Sequence, residues 1–128
     1  MEGPWSRFPE IWNMLSLVMD EIVVLITTGS EAEAKGIARA LVEQELVACV
    51  NVLPGVRSIF RWEGQVVEEQ EFLLMAKTVS QAFERVAIAV KSMHSYSLPE
   101  VIALPIQHGL PEYLSWVRDV TKQTGQTA

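Results

Sequence analysis

The sequence predicts one α+β domain, an antiparallel sheet with helices packed against it. Three observations carry that prediction. The chain has 128 residues, which suits one hydrophobic core, whereas two cores would each be too small to be stable. Short β-branched runs alternate with stretches whose apolar residues recur at helical spacing. Two extended runs also meet at Glu63-Gly64 with no helix between them, the pattern of a hairpin.

The run Ile22-Val23-Val24-Leu25-Ile26, within Glu21 to Thr28, is continuous and β-branched, which places a strand in the middle of the sheet. Gly29 and Ser30 end it. Ser30 and Glu33 have the spacing of a capping box, and Ala34, Ile37, Ala38, Leu41 and Val42 then mark a helix through about Leu46. Glu31/Lys35 and Arg39/Glu43 add opposite-charge pairs four residues apart on its other faces. Val47 to Leu53 is extended, Pro54-Gly55 introduces a bend or bulge, and Val56 to Trp62 resumes the strand. Gly64 tolerates positive φ, and Gln65 to Val79 alternates, with Phe72, Leu74 and Ala76 on one side and Glu71 and Lys77 on the other. The hairpin is long enough to overhang an ordinary sheet, so its apolar edge is expected to pair with another copy of the chain.

Ser80 is the expected N-cap of a second helix, with Phe83, Val86, Ala87, Val90 and Met93 as its apolar stripe and its end near His94. Pro99 opens a short strand through Val101, Ile102 and Leu104, and Pro105 puts it at an edge. A last helix follows Gly109, with Pro111 in its first turn and Tyr113, Leu114, Val117 and Val120 facing inward. The order β-α-β-β-α-β plus a C-terminal helix is the ferredoxin-like arrangement. That fold hosts many activities, so function has to come from particular residues.

Composition narrows the choices. Hydrophobic residues make up 49% of the chain in runs broken by charge, none near the roughly 20 residues a membrane-spanning helix needs. A formal net charge of −6, with ten scattered Lys and Arg, disfavours nucleic acid. A single cysteine, Cys49, forms no intrachain disulfide and points to the reducing cytoplasm. Residues 1–19 carry Trp5, Phe8, Trp12 and Leu15, interrupted by Pro4 and Pro9, without the basic start, long apolar stretch and cleavage site of a secretory signal. They are expected to be a flexible extension, or to precede a true start at Met14 or Met19, with a packing tail as the alternative. The domain is expected over 20–124, with a short tail at 125–128.

Four groups of residues resemble the CutA divalent-ion tolerance family: Ala48-Cys49-Val50-Asn51-Val52-Leu53-Pro54-Gly55; Ser58-Ile59-Phe60-Arg61-Trp62-Glu63-Gly64; Glu71 through Lys77-Thr78; and His94-Ser95-Tyr96 with Pro99-Glu100, followed by Tyr113-Leu114-Ser115-Trp116. The resemblance spans about Ile22 to Val120. It implies a homotrimer extended through the long hairpins, with the architecture of PII nitrogen-signalling proteins and a link to tolerance of copper and other divalent metals.

In family members described as copper-binding, the resemblance places Cys, His and His where this chain has Ile26, Met93 and His94. His94 is then the good donor for copper or zinc, and Met93 a soft thioether for Cu(I). Cys49 is the other soft candidate, against the reading of a small buried hydrophobe, and for His94 the alternative is an imidazole serving the helix terminus. Glu71, Lys77, Tyr96 and Glu100 match family positions that imply a polar cleft between subunits for a small ligand. Its alternative is an ion pair that fixes register. Trp62, Tyr113 and Trp116 are expected to be packing anchors. Neither a phosphate-binding glycine loop nor a nucleophile with an oriented base is recognisable. No catalysis and no organic cofactor are therefore expected. The second functional reading is a PII-like sensor or scaffold that takes a metabolite or partner at the subunit clefts.

Overall fold

A computed structural model describes residues 20–121; the expectations for 1–19 and for the tail at 125–128 lie outside the described residues. The elements are β1 (Glu21–Thr28), α1 (Glu31–Glu43), β2 (Cys49–Trp62), β3 (Gln65–Val79), a 3₁₀ turn (Ser80–Ala82), α2 (Phe83–Met93), β4 (Val101–Pro105) and α3 (Pro111–Asp119). The sheet order is β2-β3-β1-β4, antiparallel throughout, with β1 in the interior as its apolar run predicts. This is the ferredoxin-like α+β fold.

Strand register sorts the side chains into two faces. Val24 opposes Ala76 and Ile26 opposes Leu74, all four fully buried, and they share a core with Ile37 and Leu41 of α1 and Val86 and Val90 of α2. Each Val, Leu or Ile side chain among them contributes about 1.5–3 kcal/mol by leaving water. On the opposite face, Val23, Leu25, Met75 and Lys77 alternate with them. α3 covers one end of that second face: Tyr113 Oη lies 3.4 Å from Cys49 Sγ, and Arg118 pairs with Glu21 at 3.1 Å. The C-terminal helix therefore packs away from the other two. Beyond it, Ile102 and Leu104 of β4 remain half exposed.

The long hairpin forms as the sequence predicts. Pro54-Gly55 sits at a β-bulge between the pairs Leu53↔Leu73 and Val56↔Glu71, with Gly55 at φ +77°. The bulge takes up the extra residue, so β2 continues unbroken to Trp62. Glu63 (φ +50°) and Gly64 (φ +78°) form a two-residue turn of type I′ geometry between the paired Trp62 and Gln65. β1 pairs with β3 only from Phe72 onward, so the hairpin overhangs it over 65–71.

Four boundaries differ from expectation. α1 ends at Glu43, because Glu45 adopts φ +59°. The N–H groups of Glu45 and Leu46 there satisfy the carbonyls of Val42 and Leu41, a Schellman ending built without glycine. Val47 and Ala48 precede β2, which starts at Cys49. Ser80 does not cap α2: its hydroxyl faces Asp20 at 3.4 Å and a 3₁₀ turn leads into the helix. β4 begins at Val101, two residues after Pro99.

Candidate functional site

The polar residues singled out from sequence gather at the end of β1. Ser30 Oγ accepts the Glu33 N–H at 3.2 Å and starts α1 just beyond this point. α2 ends beside it, with His94 as its C-cap and a side chain shut off from solvent. His94 Nε2 lies 2.7 Å from the Thr27 carbonyl oxygen, and the Tyr96 N–H points at Nδ1 from 3.0 Å. A carbonyl only accepts and an amide N–H only donates, so the ring is the Nε2–H tautomer with its one lone pair already used. His94 thus ties α2 to β1 and, in this arrangement, offers no lone pair to a metal.

Tyr96 carries the polarity outward. Its ring stacks at a tilt on His94, centroids 4.7 Å apart, and its hydroxyl donates to Glu71 Oε2 at 2.9 Å. Glu71 is buried, one residue past the last β1–β3 pair, Thr28↔Phe72. Burial, that hydrogen bond and the carboxylates of Glu71, Glu69 and Glu33 push the Tyr96 phenol up to about 12. Partial burial, followed by the charge of Glu71, holds the Glu100 carboxyl above the usual carboxylate range. Glu71 and Tyr96 are thus joined by a hydrogen bond, and the Glu100 carboxyl feels the Glu71 charge.

Lys77, the fourth residue of the expected cleft, stands six positions along β3 from Glu71, about 20 Å at strand rise, and its ammonium donates to Asn51 Oδ1. The expected soft donors do not converge either. Met93 packs against the helix-side core, and Cys49 lies on the other face of the sheet against Tyr113, whose phenol the thiol contact and burial raise to about 12. Ile26 is wholly buried among aliphatic side chains. Among the described residues, no group of three His, Cys, Asp or Glu is placed to hold a metal. Cys49 and His94, on opposite sides of the sheet, also form no thiolate–imidazole pair.

Two residues of this site went unrecognised in the sequence. A Cβ on Gly29 would sit 2.9 Å from the Tyr96 hydroxyl oxygen, so glycine makes the room in which Tyr96 reaches Glu71. The capping-box spacing accounts for the Glu33 N–H, which Ser30 accepts, but not for its carboxylate. Its Oε2 accepts the Ser95 N–H at 3.0 Å, while Oε1 is buried without a hydrogen bond, 3.7 Å from His94 Nδ1.

The family model described as CutA1 divalent ion tolerance protein matches residues 22–120, nearly the whole described chain. The chain belongs to this family. The divalent-cation tolerance protein CutA of Thermus thermophilus is 54% identical over 101 residues, covering 79% of this chain and 98% of the relative. Protein CutA of Mus musculus is 44% identical over 102 residues, covering 80% of this chain but only 58% of the mouse protein. Among solved structures, the Thermus thermophilus Cut A1 protein superposes with a TM-score of 0.78 over 80% of this chain and 99% of that one, and Oryza sativa CutA1 with 0.80 over 83% and 97%, at 38% identity. The four sequence motifs thus assign the CutA family correctly, and the ferredoxin-like sheet is the CutA1 fold. No helix among the described residues is long and apolar enough to cross a membrane.

Proposed function

We propose that this protein serves divalent-ion tolerance as a non-catalytic, homotrimeric cytoplasmic protein, and that its cation contacts are carboxylates, Glu71 and Glu100 beside Tyr96. The observation that carries this reading is the buried Glu71, held at 2.9 Å by the Tyr96 hydroxyl, with the Glu100 carboxyl raised above the usual carboxylate range first by partial burial and then by the charge of Glu71. A divalent cation relieves that repulsion. The His94, Met93 and Cys49 set does not fit, because the imidazole lone pair is used and the two sulfurs lie on opposite sides of the sheet. Oxygen donors bind hard divalent ions and also Cu(II) and Zn(II), with Cu(II) highest in the usual affinity order. The trimer is supported by the hairpin overhang and by the half-exposed Ile102 and Leu104 on the sheet face that α3 leaves open.

Calorimetric titration with Cu(II) and Zn(II), after light scattering has established the trimer, tests this reading. Saturable binding that survives His94→Ala and is lost in Glu71→Gln and Glu100→Gln is the expected result. Binding lost only in His94→Ala would return the site to the imidazole, and no saturable binding would remove the metal-binding reading.

A further inference from the structure

A groove of about 400 Å³ runs between the end of α1 and the outer side of α2, lined by Leu46, Ile88, Ala89 and Met93, with Arg85 and Ser92 along it. α2 turns Val86 and Val90 into the core, so Ile88 faces outward and is 71% exposed. The Ser92 hydroxyl is already spent on the Ala89 carbonyl at 2.7 Å. The groove therefore offers apolar surface and little hydrogen bonding, which suits an apolar segment better than a charged small molecule. It lies on the helix side of the sheet, opposite α3, Ile102 and Leu104, and none of its lining residues belongs to the hairpin. The contact between copies proposed above leaves this side outward.

We infer that the occupant is residues 11–19 of the same chain, docked as an apolar strap over Leu46, Ile88 and Met93. Between Ile11 and Met19 only Asn13 and Ser16 are polar. The segment joins the domain at Asp20, whose carbonyl accepts the Ser80 N–H at 2.6 Å, and Ser80 opens the turn into α2. Leu46 comes to the same end of the sheet: its carbonyl accepts the Thr78 hydroxyl at 2.6 Å, and Thr78 pairs with Ile22. The chain thus enters at the foot of the groove. From Arg85 to Met93 α2 is about 12 Å long. Nine residues reach about 13 Å even at helical rise and about 30 Å when extended, so the segment is long enough to cover it. Tethering decides between this segment and that of another molecule. Attachment within a few residues gives an effective concentration in the millimolar range, about a thousandfold above a free partner at micromolar concentration.

Hydrogen exchange followed by mass spectrometry on the full chain tests this. The amides of residues 11–19 are expected to exchange about tenfold or more slowly than an unstructured peptide. Ile88→Glu, and independently the double change Leu15→Glu with Leu17→Glu, should bring them to within about twofold of the unstructured rate. Retained protection of β1 and β3 in each variant shows that the domain is folded. In a second experiment a photoreactive benzoylphenylalanine replaces Ile88, and its crosslink should fall within one chain, on a peptide from residues 11–19. Wild-type exchange at the unstructured rate, protection that survives Ile88→Glu, or a crosslink that joins two chains would each overturn the inference.

Discussion

The Tyr96 hydroxyl donates to Glu71 Oε2 across the end of β1, in a space that exists because residue 29 is glycine. Gly29 has ordinary negative-side backbone freedom to spare; what it supplies is the missing Cβ. The Tyr96 ring is held on its other side by His94, so it cannot swing away without giving up the stacking.

Gly29→Ala is therefore expected to destabilise the fold by about 1–3 kcal/mol, the usual cost of forcing extra volume into a packed site. Tyr96→Phe removes the oxygen that the new methyl would meet, so the double variant should lose less than the sum of the two single changes. A double-mutant cycle by urea unfolding reads this coupling. Strict additivity would mean that the contact is relieved elsewhere.

His94→Ala should cost about 1–3 kcal/mol by leaving the buried Thr27 carbonyl without its donor. It should leave Cu(II) affinity within about twofold, a change of less than 0.5 kcal/mol. Unfolding and calorimetry on one preparation separate the structural role from a ligand role. An unchanged unfolding midpoint together with lost metal binding would reverse the assignment.

The fold was legible because its signals are local. A continuous β-branched run announces an interior strand, Gly64 announces the hairpin turn, and Ser30 announces a helix start that its hydroxyl then caps. Where partners are distant the sequence is silent. Ser80 has the same look as Ser30, but a serine beside Asp20 in space answers to that neighbour. The apolar stripe of α3 shows that the helix packs, yet not on which face of the sheet. At the site, the family resemblance marks His94 as a ligand, and only the fold reveals that Thr27 and Tyr96 already occupy its ring nitrogens. The separation of Lys77 from Glu71 was readable in principle, since six residues of one strand fix the distance.

Glu63 is the first residue of the two-residue hairpin turn and holds φ +50°, where a non-glycine side chain without a local hydrogen bond is strained. Glu63→Asn should stabilise the protein by about 1 kcal/mol, since asparagine tolerates this region far better. Thermal unfolding measures it. A lower midpoint would show that the glutamate side chain makes a contact worth more than the backbone relief.

Glu100 gives the pH dependence its sign. Its folded pKa is raised above that of the unfolded chain, first by burial and then by Glu71. The folded state therefore holds this proton more tightly than the unfolded one, and the stability gained is fully present below the ordinary carboxylate pKa. It is lost as pH rises through the folded pKa. Glu100→Gln keeps a neutral side chain at every pH, so it should stabilise the metal-free protein at pH 7, with the difference from wild type vanishing at acidic pH. Chemical unfolding in EDTA across that range tests the argument. A divalent cation, by compensating the same repulsion, should remove the neutral-pH advantage of the variant, whereas an advantage that persists unchanged in saturating Zn(II) would show that the ion does not sit with these carboxylates.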